Sequence, residues 1–230
     1  ITEGLVGSEM CIRDRITDAN EMDETLANVV EKLKTSEHYN NLFSKVHSDG
    51  EITGQRVLLA LTQFVVMFNS YNSKYDKYIR NESENTFTRQ EKNGLQIFRQ
   101  HCATCHTEPL FTNNQFENNG LKVDTTLNDY GRYFITNNPK DSLKFKVPSL
   151  RNIQFTKPYM HDGRFESLQS VINHYTSEVQ PSKTLSKKLE KKIILTHIEK
   201  IDLLVFLRTL SDDEFLFDKR FSFPFQQLIN

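Results

Sequence analysis

Cys102-Ala103-Thr104-Cys105-His106 is the stretch on which the reading of this chain turns, because C-x-x-C-H is the attachment signature of a c-type haem. Two thiols three residues apart can each form a thioether to one vinyl group of a porphyrin, and the adjacent imidazole can then become the proximal iron ligand. The alternative for a C-x-x-C pair is a redox-active dithiol. That chemistry belongs beside a βαβ pattern, and none surrounds the motif here.

Working outward, Arg89 to His101 reads as a helix leading into the motif, with Leu95, Ile97 and Phe98 as its apolar residues. Earlier, Leu26, Val29, Val30 and Leu33 recur at helical spacing. Val57, Leu58, Leu61, Phe64, Val65 and Phe68 form a stronger stripe that ends near Ser70. Leu168, Val171, Ile172 and Tyr175, then Ile198, Ile201, Leu204, Val205 and Leu207, predict two more helices. Between Phe111 and Lys146 the chain is rich in Asn, Thr, Asp and Gly, and an Asn119-Gly120 pair marks a turn, so long functional loops are expected there. The pattern predicts an all-α protein with long loops.

The chain has 230 residues, 37% of them hydrophobic, enough for one large or two modest cores. A formal net charge of -1 excludes a global basic field for nucleic acid, and no apolar run has the length of a membrane span. Three cysteines, two of them in the motif, permit no internal disulfide framework. The chain opens on Ile1 and reads as a fragment. Residues 1–15 contain GLVGSEMCIRDR, similar to translated sequencing-adapter read-through, and are set apart as a non-native segment in which Cys11 carries no meaning. The polar run from Lys74 to Thr86 suggests a boundary, so residues 16–86 and 87–230 are expected to be separate units, the second being the haem domain.

The motif, followed by FTNNQFENNGL and then by FKVPSLRNIQFTKPYMHDGRFESLQSVINHY, resembles the C-terminal half of bacterial di-haem cytochrome c peroxidases, a family that includes the MauG-type oxidases. The resemblance runs from about Glu21 to Thr209. It implies two cytochrome c-like domains, each with one covalent haem c, of which this chain carries the second whole and the first only as its last helices. Its implied activity is reduction of hydrogen peroxide to water. Electrons would come from a small periplasmic c-type cytochrome or a cupredoxin through the C-terminal haem, and family members often form homodimers. Thioether attachment takes place outside the bacterial cytoplasm, which points to the periplasm. Two other functions stay open: a MauG-type oxidase that modifies a protein substrate, and a one-haem electron carrier without catalysis.

The resemblance also assigns residues. Glu21 matches the segment that places a glutamate over the peroxidatic iron, where one carboxylate can shuttle a proton between the two peroxide oxygens. Its alternative is an acidic residue at a helix start, within the cluster Glu21, Asp23 and Glu24. Tyr175, roughly three helical turns beyond His161-Asp162-Gly163, falls where the peroxidases carry a distal methionine, and the His174-Tyr175 pair matches the MauG-type branch, in which tyrosine ligates the iron. The alternatives are that Tyr175 only completes an apolar stripe, and that Met160 is the ligand. His161 is implied to line the haem, and Arg151 to bind a haem propionate, against the simpler reading of a surface salt bridge. Backbone carbonyls of Thr156 and Pro158 fall where the family holds a calcium ion. Lys183, Lys187, Lys188, Lys191 and Lys192 read as a solvated helix face.

Overall fold

A computed structural model describes residues 2–82 and 86–222, the first six of these as backbone only. Residues 83–85, inside the expected boundary run, and residues 223–230, the end of the expected haem-domain tail, lie outside the described residues. The chain divides into one unit of residues 1–69 and another of residues 70–230.

In the first unit, α1 (Thr2–Thr17) is followed by α2 (Leu26–Lys34), α3 (Glu37–Val46) and α4 (Gly54–Val66). The hydroxyls of Thr25 and Thr53 accept backbone N–H groups at the starts of α2 and α4, which fixes where each helix begins. Val30, Ile52 and Val57 form a small core with Val29, Leu33 and Phe43 around them. The stripe expected on α4 is only partly inside. Val57 and Leu58 are buried, with Thr62 in the second half, whereas Leu61, Phe64, Val65 and Phe68 are exposed; α4 packs against α1 and α2.

The second unit holds α5 (Lys74–Ile79), α6 (Arg89–His101), α7 (Tyr133–Thr136), α8 (Leu168–Asn173), α9 (His197–Arg208) and α10 (Asp213–Leu216). Two short strands, β1 (Phe116–Glu117) and β2 (Phe145–Lys146), pair antiparallel with Phe116 opposite Lys146. Capping boxes start α6 at Thr88 and Glu91 and α9 at Thr196 and Glu199. These two helices are the frame of the unit. They approach so closely at Gly94 that a Cβ there would lie 2.0 Å from the Asp202 carbonyl oxygen. Phe98, Phe111, Phe206 and Leu210 fill the centre.

The segment from Ser70 to Ile79 belongs with this second unit and not, as expected, with the preceding helices. Tyr75 is in the second unit's core, and Asp76 is paired with Arg151. Both side chains therefore have their partners downstream.

The Asp76–Arg151 pair is a stability element. Two guanidinium nitrogens donate to the two carboxylate oxygens at 2.9 and 2.8 Å, and Ser73 adds its hydroxyl and backbone N–H. Burial pushes the Asp76 carboxyl up, but the hydrogen bonds from Arg151 and Ser73 outweigh it and leave the pKa below its ordinary value of 3.8. A depressed folded-state pKa means that the ionised pair contributes fully above the ordinary value, and that the contribution is lost as pH falls through the depressed one. Asp76→Ala is expected to cost about 3–5 kcal/mol at neutral pH, since it leaves the Arg151 charge buried and unpaired. Unfolding curves should show the gap between wild type and variant closing at acid pH; a gap independent of pH contradicts the assignment.

Candidate haem site

The C-x-x-C-H motif forms the turn that ends α6. The Cys102 N–H bonds the Phe98 carbonyl at 2.7 Å, and the N–H groups of Cys105 and His106 both bond the Cys102 carbonyl, at 3.1 and 2.9 Å. The chain is thereby wound so that both sulfurs and the imidazole leave one short turn. Both thiols are free. Burial and the neighbouring Cys105 push the Cys102 thiol up to about 12, and burial raises Cys105 as well. A redox-active dithiol needs a lowered thiol pKa to supply its thiolate, so this site has the opposite electrostatics.

His106 is oriented from behind. Its Nδ1 lies 3.0 Å from the Phe111 carbonyl and 3.1 Å from the Pro148 carbonyl, and since carbonyls only accept, Nδ1 carries the proton. Nε2 is then the lone-pair nitrogen. Burial also lowers the His106 pKa against the pull of those two carbonyls, which keeps the ring neutral and able to bind metal. The two segments that carry these carbonyls are tied to each other by their neighbours, because Thr112 donates to the Val147 carbonyl and Ser149 to the Leu110 carbonyl, both at 2.6 Å. Glu108 ties the same loop to the core by accepting from the Tyr75 hydroxyl at 2.6 Å and from Nε and Nη2 on one edge of the Arg99 guanidinium.

Tyr175 sits where α8 widens into a π turn, His174–Glu178. Such turns displace a helix by one residue and are frequent at functional sites. His174 is buried and its Nε2 lies 3.0 Å from the Asn119 carbonyl, which anchors the turn. Tyr175 keeps an edge toward solvent, but the packing around its phenol pushes that group up to about 12; an Asn119 hydrogen bond pulls it back, and Cys102 and Cys105 add to the rise. Met160 is close by, its sulfur 3.5 Å from the Asn119 side-chain nitrogen. Two thiols, a neutral imidazole with one ring nitrogen fixed, and a half-buried phenol are a donor set that fits a covalently held haem with a sixth ligand.

Of the other expected residues, His161 shares a cavity with Asn119, whereas Arg151 is committed to Asp76. His161 stacks on Phe145 at 3.8 Å and lines a small cavity with Asn118, Asn119 and Leu121. Arg151 is not presented to a propionate: both terminal nitrogens are taken by Asp76, one of them also by the Pro109 carbonyl at 2.8 Å, and Nε is buried without a partner. The surface salt bridge considered as its alternative is likewise replaced by a buried one. Glu21 is an exposed turn residue of the first unit, paired with Arg15. Thr156 and Pro158 are exposed at the end of a 3-10 turn, and no cluster of three or more His, Cys, Asp or Glu suited to a metal occurs among the described residues. Only Lys187 and Lys188 of the lysine cluster lie in a helical turn, and Lys188 spans from Glu117 at 2.8 Å to the Thr104 carbonyl. Asn119 and Asp76 went unnoticed as site residues in the sequence. The only local signal was the turn pair Asn119-Gly120.

Comparison with known proteins agrees with this geometry. A model of the family described as di-haem cytochrome c peroxidase matches residues 7–84, so residues 7–15, set apart above, fall inside the match. The chain is 33% identical over 201 residues to methylamine utilization protein MauG of Methylophilus methylotrophus, covering 85% of this chain and 58% of that protein. It is 30% identical over 203 residues to cytochrome c551 peroxidase of Nitrosomonas europaea, covering 86% of this chain and 57% of that one. The chain therefore spans little more than half the length of these curated relatives. Among solved structures, a MauG-like protein associated with microbial copper homeostasis superposes with a TM-score of 0.83 at 28% identity, over 95% of this chain and 72% of that one. Sequence relatives and shared all-α fold converge, and the chain belongs to the di-haem cytochrome c peroxidase family, for which haem c is the implied cofactor.

Proposed function

We propose that this chain carries the electron-transfer haem of a peroxidase that reduces one hydrogen peroxide to two waters, using two electrons and two protons. The observation that carries the reading is the His106 ring, neutral and held at Nδ1 by two carbonyls beside a pair of protonated thiols. A haem bound there supplies one-electron chemistry at its iron. Cys102 and Cys105 would hold the porphyrin covalently, and His106 Nε2 and Tyr175 would bind its iron. Glu21 acts as the acid and base for peroxide, moving a proton at its carboxylate. His161 and Phe145 close one side of the site. Electrons come from a small c-type cytochrome or cupredoxin in the periplasm, and calcium is held by the carbonyls of Thr156 and Pro158.

A second reading, a MauG-type oxidase acting on a protein, is supported by one feature: Tyr175, a phenol, follows buried His174 in the π turn, in the His-Tyr order of that branch. Steady-state oxidation of a reduced small cytochrome c by peroxide separates the two. The full-length protein, matured in a host that attaches c-type haem, is expected to turn over rapidly, and Glu21→Gln to slow it about 10²–10⁴-fold. Slow turnover with a long-lived oxidised enzyme transfers the assignment to the oxidase. Failure to oxidise the donor at all, with the haem in place, leaves an electron carrier.

A further inference from the structure

His106 stands at a seam between two loops. One loop brings the Phe111 carbonyl to 3.0 Å from its Nδ1, and the other brings the Pro148 carbonyl to 3.1 Å. A single N–H shared between two acceptors points where their relative position sends it, so whatever fixes one loop against the other also aims the ring. Arg151 does this with a charged fork. Its backbone belongs to the Pro148 loop, and its Nη2 donates at 2.8 Å to the Pro109 carbonyl in the Phe111 loop. The guanidinium is itself locked by Asp76, which accepts from Nη1 at 2.9 Å and from Nη2 at 2.8 Å. Ser149 adds a second tie across the seam: its hydroxyl accepts the Arg151 N–H at 3.2 Å and donates to the Leu110 carbonyl at 2.6 Å. From α5, Tyr75 supports the same place, its ring edge-on to Phe111 with centroids 4.8 Å apart.

From this arrangement we infer that Arg151 is a positioning residue for His106: held by Asp76, it clamps the Pro109–Phe111 segment to the Pro148–Arg151 segment and so fixes the hydrogen bonds made by His106 Nδ1. The inference deepens the proposed function and rests on ligation of the haem iron by His106. An imidazole whose Nδ1–H is held by oxygen acceptors is the more basic donor at Nε2, and a more basic donor favours the oxidised metal. The Asp76–Arg151 pair therefore acts on the haem from behind the histidine, through two carbonyls, and not by contact with a propionate.

Arg151→Met in the full-length, haem-loaded protein tests this. With the clamp gone the two hydrogen bonds weaken, so the midpoint potential of this haem is expected to rise, by ~59 mV for each tenfold loss of ferric over ferrous ligation. The His106 Nδ1 proton, followed by NMR, should exchange faster with solvent. Arg151→Lys keeps a positive charge beside Asp76 but not the planar fork, and both readouts should move the same way. Arg151→Met leaves Asp76 buried without its partner; if it does not accumulate, Asp76→Asn combined with Arg151→Met removes the stranded charge. Ser149→Ala loosens the same seam without touching the ion pair. Each is expected to raise the potential. A pair that serves stability alone would lower the unfolding midpoint yet leave the potential and the proton exchange of the folded protein at wild-type values, and that result overturns the inference. His106→Gly keeps the two levels apart. If it leaves the spectrum of this haem unchanged, ligation by His106 fails and takes the inference with it. If it changes the spectrum while the Arg151 and Ser149 variants leave potential and exchange unchanged, the role of Arg151 alone is overturned.

Discussion

Cys102→Ser combined with Cys105→Ser is expected to abolish covalent haem retention completely. The two sulfurs leave one turn at the end of α6, wound by hydrogen bonds to the Cys102 carbonyl, so both can reach the same porphyrin edge. A hydroxyl does not replace a thiol in thioether formation, and His106 alone then holds the group by a single coordinate bond. Wild-type protein from a host competent in c-type maturation should keep its colour through extraction with acidified organic solvent. The double variant should lose it entirely, and each single variant should keep it through the remaining bond with a shifted spectrum. Colourless or extractable wild-type protein would refute the cofactor assignment and the proposed activity together.

Gly94→Ala is expected to destabilise the protein by about 3 kcal/mol or more, although alanine is the better helix former by about 1 kcal/mol. Gly94 is on the face of α6 that crosses α9. A methyl group there would lie 2.0 Å from the Asp202 carbonyl oxygen and 2.6 Å from the Phe206 Cβ. Backbone cannot rotate away as a side chain would, so the two helices must separate and loosen the packing of Phe98 and Phe206, both fully buried. For a chain of this size the loss corresponds to a fall in melting temperature of roughly 6–12 °C. Equal or higher stability in a thermal or urea unfolding experiment would show that the crossing tolerates a wider spacing.

What could be read in advance followed from how local the signals are. The helices α2, α6 and α9 carry apolar periodicity over two turns or more, and α6 and α9 also carry Thr-x-x-Glu starts, so their reading needs no information from elsewhere in the chain. The motif is local for the same reason. α5 was hidden in a charged run because what stabilises it is distant: Tyr75 N–H bonds the Thr209 carbonyl, and Asp76 bonds Arg151. Arg151 was misjudged on the same account, since its partner lies 75 residues upstream. Asn119 was legible as a turn former but not as a donor. The acceptor facing its side-chain nitrogen, Met160, is 41 positions further on, which no spacing rule connects. The loops between Phe111 and Lys146 were foreseen as loops; what holds them is side-chain to backbone bonding, as from Thr112 and Ser149, for which sequence has no periodic signature.

The π turn at His174–Glu178 means that the face on which Tyr175 stands is set by register as much as by residue identity. Loss of one codon from this stretch would restore ordinary helical winding and swing the residues after it by about 100° around the axis. Different side chains would then occupy that face with no substitution at all, so a one-residue deletion here alters the site as deeply as a replacement would.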